Sequence, residues 1–162
     1  MKQNQKIRPI ILCGGSGSRL LLSKYNKNSL PKQFVDFGGW NLFEKVLLRL
    51  KNTIFDTPII STNKKYLKEV KLHLKKNKIN KYKIVLEPAK RNTAPAILST
   101  ALIKDIPNDQ PLMFFTADHL IEKMNIFNKA INKNKSNLTD QNIFIFGIKP
   151  TSPSSEYGYF LT

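Results

Sequence analysis

The sequence predicts an α/β fold in which helices cover both faces of a mainly parallel sheet. Short apolar runs alternate with segments of helical periodicity along the 162 residues, which is the pattern of successive βαβ units. The first apolar run, residues 9–12, contains no polar side chain and suits a strand that is buried on both faces. We therefore expect a Rossmann-like three-layer sandwich, built as a single domain over residues 1–162.

Apolar periodicity predicts the helices. The first has apolar residues at i, i+3, i+4 and i+7 from Phe43 to Leu50, and the second has an apolar stripe within a lysine-rich segment. The third has Asn92 or Thr93 as its cap and Pro95 in its first turn, where proline is tolerated. The predicted helices cover residues 41–51, part of 64–83, 93–103 and 125–134.

Short apolar runs between polar or turn-forming residues predict the strands. The predicted strands are residues 9–12, 58–61, 82–86, 112–115, 143–146 and 157–161. A proline- and serine-rich turn at 150–155 separates the last two. No internal repeat or linker divides the chain.

Composition excludes several classes of protein. One cysteine cannot form an internal disulfide, and no Cys/His cluster has the spacing of a metal site. Cys13 fits the end of the first strand, with a reactive thiol as the alternative. No apolar run approaches the ~20 residues of a membrane span or the core of a signal peptide, so we expect a cytoplasmic protein without a membrane partner.

The formal charge of +16 raises the question of nucleic-acid binding. Lysine supplies 23 of the 27 basic residues, and these lysines are scattered along the chain. Proteins that recognise bases concentrate arginine instead. We expect no specific nucleic-acid partner, although non-specific attraction to polyanions fits this charge.

A glycine-rich loop follows the first predicted strand and favours a phosphate ligand. Three glycines within four positions permit positive φ and direct several N–H groups toward an anion. The loop fits neither the dinucleotide-binding nor the Walker-type motif, because Arg19 and Leu20 stand where those motifs need other residues. The alternative is a plain glycine-rich turn with an exposed arginine. The loop residues are Gly14, Gly15, Ser16, Gly17 and Ser18.

Ligands of parallel sheets bind outside the carboxyl ends of the strands. Arg19 and Lys32 lie near the glycine loop in sequence and can neutralise a departing pyrophosphate, with two surface cations as the alternative. Asp118 follows the fourth apolar run and suits Mg²⁺, which takes its other ligands from water and phosphate; a helix cap is the alternative. His119 is predicted to line the site, or else to be structural.

Glu87 follows the third predicted strand and offers two acceptor oxygens. The adjacent N1–H and N2–H donors of guanine would match a carboxylate, whereas adenine would not. A structural ion pair between Glu87 and Arg91 is the alternative.

Taken together, four segments resemble the mannose-1-phosphate guanylyltransferase family in that family's order, over essentially the whole chain. They are residues 11–20 with Pro31-Lys32-Gln33-Phe34, residues 86–88 with 91–96, Ala117-Asp118-His119, and residues 146–151 with Tyr157-Gly158-Tyr159. The resemblance implies a nucleotidyltransferase fold of the glycosyltransferase-A-like type.

The resemblance also implies a reaction in which GTP and mannose 1-phosphate give GDP-mannose and pyrophosphate, with Mg²⁺ as cofactor. By position, the loop from Gly14 to Ser18 would hold the nucleotide, Arg19 and Lys32 the phosphates, and Asp118 the metal. The residues implied for the nucleoside are Glu87, Asn92 and Thr93, and those for the mannose pocket are Tyr157 and Gly158.

The family's catalytic domain is longer than this chain. We therefore expect a domain that is truncated at its carboxyl end, inactive alone unless a second chain or a homo-oligomer completes it. Two alternatives stay open: a related transferase that uses UTP or dTTP, and a non-catalytic regulatory or interaction module of the same fold.

Overall fold

The computed structural model describes residues 5–15, 30–88, 92–139, 141–155 and 158–160. Within them the strands and helices alternate as the sequence predicts. The strands are β1 (Arg8–Leu12), β2 (Ile59–Asn63), β3 (Lys83–Glu87) and β4 (Leu112–Thr116). The helices are α1 (Leu42–Arg49), α2 (Leu67–Lys76), α3 (Thr93–Ala101) and α4 (Met124–Lys135), with short 3-10 helices at Lys32–Phe34 and Lys64–Tyr66.

The sheet has the order β3-β2-β1-β4, and every pair of neighbouring strands is parallel. β1 lies between β2 and β4, where Ile10 pairs with Ile59 on one side and with Phe114 on the other. All strands therefore end at the same edge of the sheet. β1 supplies the centre of that edge.

Successive residues of β1 point to opposite faces of the sheet and enter different apolar clusters. Ile11 packs in a large cluster with residues of α1, α2 and α4, whereas Ile10 packs in a smaller one with Ile59 and Ile106. α3 packs over β1 and β2. Helices on both faces of a parallel sheet confirm the predicted three-layer α/β sandwich.

Helix α1 begins at a side-chain cap and is joined to α2 by a buried polar cluster. The Asn41 side chain accepts the backbone N–H of Glu44 at 2.8 Å, and its amide contacts the ring of His73. Glu44 accepts His73 Nδ1 at 2.9 Å and Lys76 Nζ at 2.8 Å. Burial acts to raise the pKa of Glu44, but the bonds from Lys76 and His73 outweigh burial and lower it.

The opposite edge of the sheet, where the strands begin, is held by Arg8. Its guanidinium contacts Asp56 at 2.8 Å, Gln110 at 3.1 Å and the carbonyl oxygen of Thr57 at 2.8 Å. Arg8 thereby joins β1 to the segments that lead into β2 and β4. This network lies at the end away from the glycine loop.

Two strand predictions fail. Residues 143–146 form no strand, and Ile143 is 90% exposed. They pair with no neighbouring strand, and their one ring contact is that of Phe146 with Phe127 in the described part of the chain. In the predicted strand 157–161, residues 158–160 form no β-strand, and Tyr157 and Leu161 lie outside the described residues. None of the described helices is long and apolar enough to cross a membrane.

Candidate functional site

Three polar segments meet where the strands end. Gly14 and Gly15 follow β1, Glu87 is the last residue of β3, and Asp118 follows β4. The Cys13 N–H donates to the Ser61 carbonyl oxygen at 2.7 Å, which continues the pairing of β1 with β2 into this region. The segments that the sequence predicted to converge therefore do so in the structure.

Glu87 packs directly against the backbone of Gly14. A Cβ on Gly14 would lie 2.7 Å from both carboxylate oxygens of Glu87, closer than side chains tolerate. The Ser61 hydroxyl donates to Glu87 Oε1 at 2.6 Å and fixes the carboxylate there. Neither Gly14 nor Gly15 has a positive φ, so the conformational reason expected for these two glycines is wrong. At Gly14 the requirement is instead close approach of a side chain.

Lys32 and Asp118 form an ion pair of 2.7 Å between Nζ and Oδ2. Each side chain is about 30% exposed, at 31% and 29%, so both can also reach a ligand from solvent. Lys32 opens the 3-10 helix, and the next residue, Gln33, is buried and donates to the Gly15 carbonyl oxygen at 3.0 Å. This bond ties the Lys32 turn to the glycine loop.

Cys13 is enclosed at the centre of this edge. Burial raises the pKa of its thiol, a hydrogen bond with Gln33 acts against burial, and the charges of Asp118 and Glu87 raise the pKa further. A thiol held protonated is a poor nucleophile. The structural interpretation of Cys13 is therefore favoured. Glu87 ends β3 and Asp118 follows β4, and the strand order β3-β2-β1-β4 places these two strands on opposite sides of β1.

Asp118 does not cap a helix. The next helix, α4, begins at Met124 with Lys123 in the cap position, so the capping alternative for Asp118 is wrong. The neighbouring His119 has an exposed side chain, while its carbonyl oxygen accepts a hydrogen bond from Arg49. Arg49, in the last turn of α1, is only 3% exposed, and burial lowers its pKa. It holds the turn that follows Asp118.

The remaining predicted site residues lie apart from this centre or outside the described residues. Asn92 occupies the cap position of α3 with φ +27° but makes no side-chain capping bond, and it is exposed, as is Thr93. Gly158 is exposed with open space around it. The proposed Glu87–Arg91 ion pair is not described, because Arg91 is outside the described residues. So too are Ser16, Gly17, Ser18, Arg19 and Tyr157.

Three residues of this region were not predicted. Ser61 is the third of the five residues of β2, and its hydroxyl reaches Glu87 because β2 pairs with β3. Gln33 was part of a recognised motif, but its bond to Gly15 depends on the 3-10 turn. Arg49 resembles an ordinary basic residue in the last turn of a helix. Nothing in its sequence context indicates that it is buried.

The side chains of this site suit a metal ion that takes most of its ligands from water and substrate rather than from the protein. Within the described ranges there is no group of three or more His, Cys, Asp or Glu side chains that could hold a metal ion. Asp118 offers a single carboxylate, which is partly exposed to solvent. That arrangement fits Mg²⁺, which keeps waters and binds substrate phosphates, and does not fit a metal held by protein ligands alone.

Comparison with known proteins gives a consistent result. The profile of the nucleotidyl transferase family matches residues 8–161. A mannose-1-phosphate guanylyltransferase from Klebsiella pneumoniae is 35% identical over 154 residues, which are 93% of this chain and 32% of the relative. The alginate biosynthesis protein AlgA of Pseudomonas fluorescens is also 35% identical, over 93% of this chain and 31% of its own. The chain thus spans about a third of the length of these relatives, and the resemblance inferred from the motifs is confirmed.

Solved structures show the same fold. A Helicobacter pylori protein described as mannose-6-phosphate isomerase superposes with a TM-score of 0.62 and 29% identity, over 81% of this chain and 46% of its own. The inositol-1-phosphate CTP transferase of T. maritima superposes with a TM-score of 0.59 and 20% identity, over 85% of this chain and 51% of its own. The second likeness concerns the fold alone.

Proposed function

The chain belongs to the nucleotidyl transferase family, and we propose that it is the nucleotide-binding part of a mannose-1-phosphate guanylyltransferase. The observation that supports this most directly is the Lys32–Asp118 ion pair beside the Gly14-Gly15 segment, which sets a cation and a carboxylate at the ligand-binding edge of the sheet. The proposal assigns residues 1–162 to one nucleotidyltransferase domain. The complete reaction belongs to the proposal as well, because the curated relatives are about three times as long.

In the proposed reaction, a phosphate oxygen of mannose 1-phosphate attacks the α-phosphorus of GTP. A new P–O bond forms, the bond between the α-phosphorus and the bridging oxygen breaks, and pyrophosphate leaves with the electron pair. Such a transfer needs little covalent chemistry from the protein and depends on positioning and charge neutralisation. No covalent enzyme intermediate is involved.

Each residue at this edge of the sheet is assigned its own role in binding the nucleotide. The backbone lies against the phosphates on the side of Gly15, where an added Cβ would meet nothing within 4 Å, and Lys32 neutralises the charge that builds on pyrophosphate. Arg19 is proposed to assist Lys32. Asp118 would hold Mg²⁺, which when bound neutralises phosphate charge. Before ligand binds, the 2.7 Å pair keeps Lys32 and Asp118 mutually neutralised.

For the base, we propose that Glu87 accepts hydrogen bonds from guanine. Ser61 occupies only Oε1 of the carboxylate, so Oε2 has no described partner and is held in place. Asn92 and Thr93 are proposed to contact the nucleoside, His119 to line the site, and Tyr157 with Gly158 to begin the mannose pocket, all from the family resemblance. A UTP- or dTTP-dependent transferase, or a non-catalytic module, stays the alternative.

A nucleotide panel tests the proposal through the melting temperature, Tm. We expect GTP with Mg²⁺ to raise the Tm of the chain and ATP with Mg²⁺ to raise it much less. Equal shifts from both, or from UTP or dTTP in place of GTP, would reject guanylyl selectivity. No shift from any nucleotide would favour a non-catalytic module.

Variants of the ion pair test the assigned parts. Lys32→Met should weaken GTP binding about tenfold, or 1.4 kcal/mol, and Asp118→Asn should remove the part of the Tm shift that depends on Mg²⁺. Lys83→Met is the matched control, because Lys83 also pairs with an aspartate, Asp105, but at the start of β3. Unchanged GTP binding in Lys32→Met would contradict the assignment.

Three further expectations stay predictions. The chain alone should form little GDP-mannose unless a second chain or a homo-oligomer completes the sugar site, which a turnover assay on the purified protein measures. A cytoplasmic location is expected, and no specific nucleic-acid partner is expected.

A further inference from the structure

A cavity of about 450 Å³ lies between α1 and the segment that joins β4 to α4. Its volume is within the range of small-molecule pockets. Its walls are formed largely by apolar side chains, among them Leu48 and Leu120, which are 46% and 48% exposed. The lining also includes Trp40, Lys45, Arg49 and Glu122.

Arg49 brings an unneutralised charge to the cavity wall. Arg49 is 3% exposed as a residue, and its guanidinium donates to the carbonyl oxygen of His119, a neutral acceptor. Its Nε–H is buried without a partner, and no carboxylate lies within ion-pair distance of it in the described part of the chain. Burying a cation without a counter-charge costs free energy, which an anion close by recovers.

A second cation, Lys45, lines the same cavity. Lys45 Nζ lies 4.8 Å from the centre of the Trp40 ring, in cation–π contact. The carboxylate of Glu122 is the opposing charge in the lining, so two cations and one anion leave the cavity with a net positive charge. The indole of Trp40 and the leucines offer an apolar surface beside those cations.

We propose that this cavity binds a small organic anion, a carboxylate or phosphate monoester attached to a planar apolar body. The anionic group lies toward Arg49 and Lys45, and the apolar body packs against Trp40 and Leu48. The site is separate from the Gly14–Lys32–Asp118 edge and does not depend on the function proposed for that edge.

Trp40 is the single tryptophan of the chain, so its fluorescence reports directly on the cavity. Phenyl phosphate is the probe, with benzyl alcohol as the neutral analogue and inorganic phosphate as the headgroup alone. We expect phenyl phosphate to change the fluorescence saturably and to bind at least tenfold more tightly than either control compound. Equal affinity for all three, or no saturable change, would overturn the proposal.

Variants locate the probe. Leu48→Glu places a carboxylate at the exposed rim and should abolish the fluorescence change, and Lys45→Gln should weaken binding about threefold to tenfold. Lys51→Gln removes an exposed lysine just beyond α1 that is outside the cavity and should leave binding unchanged. Lys32→Met should also leave it unchanged, whereas loss of the signal in Lys32→Met would place phenyl phosphate at the nucleotide edge instead. Circular dichroism of each variant establishes that it is folded.

Discussion

Replacing Gly14 with alanine tests why glycine stands at this position, because close packing of Glu87 and backbone conformation predict different effects on stability. The new Cβ would lie 2.7 Å from both oxygens of Glu87, whereas ordinary contact begins near 3.4 Å. The carboxylate must therefore retreat by several tenths of an ångström. That movement takes Glu87 Oε1 away from the Ser61 hydroxyl, to which it is bonded at 2.6 Å.

The expected cost follows from two opposing terms. A hydrogen bond to a charged group contributes about 1.5–3 kcal/mol. Alanine recovers about 0.4–1 kcal/mol by restricting the unfolded chain, since φ at Gly14 is not positive. We expect Gly14→Ala to lower the free energy of unfolding by about 1–2 kcal/mol, and to weaken GTP binding because Glu87 is displaced.

A double-mutant cycle with Glu87→Ala provides the sharp measurement. In the Glu87→Ala background the clash is absent, so Gly14→Ala should become neutral or stabilising by up to about 1 kcal/mol. Gly15→Ala is the matched control, because its Cβ would meet nothing within 4 Å. Urea denaturation of the five proteins, wild type included, gives the values. If Gly14→Ala were equally destabilising in both backgrounds, contact with Glu87 would not be the reason for the glycine.

Three further substitutions test the supports around the site. Glu44→Gln should make the protein lose less stability in acid. The pKa of Glu44 is lowered from 4.5, so its contribution to stability is present above pH 4.5 and is lost as pH falls through the folded pKa. Urea denaturation at several pH values across that range measures the difference. Arg49→Met should change the free energy of unfolding by under about 1 kcal/mol, because relief of a buried charge offsets the lost bond to His119, yet it should weaken GTP binding in calorimetry; unaltered binding would contradict the support of the Asp118 turn. Asn41→Ala should cost about 1 kcal/mol of stability, measured by urea denaturation, because α1 loses its cap.

The sheet was predictable because its signal is local. Pro9 to Leu12 form an unbroken apolar run, and the structure extends that strand by one residue, to Arg8. Strand ends also indicated where Asp118 and Glu87 would lie. The strand predicted at 143–146 failed because apolar composition does not supply a neighbour: Ile143 and Ile145 remain 90% and 69% exposed. Strand pairing is a property of the tertiary structure.

The polar contacts of the site were less predictable. Glycine at position 14 was assigned to positive φ, because sequence does not show which side chain will approach the backbone. The Lys32–Asp118 ion pair joins residues from distant parts of the chain, and only the assembled sheet brings them together. Arg49 is buried where it bonds to the His119 carbonyl oxygen, in the segment after β4. These three contacts depend on the tertiary structure, and no periodicity or spacing in the sequence indicates them.

The position of β1 between β2 and β4 also bears on how the protein folds. β1 and β2 can pair once the first 63 residues exist, but the other side of β1 must wait for β4, whose pairing runs from Arg8↔Leu112 to Leu12↔Thr116. Contacts between such distant segments form slowly, because a long loop must close first. Asp118 follows β4 directly and meets Lys32 only after that strand has docked. Docking of β4 therefore completes the β1 pairing and assembles the Lys32–Asp118 pair together. A state without docked β4 would leave one side of β1 as an exposed strand edge with unpaired backbone N–H and C=O groups.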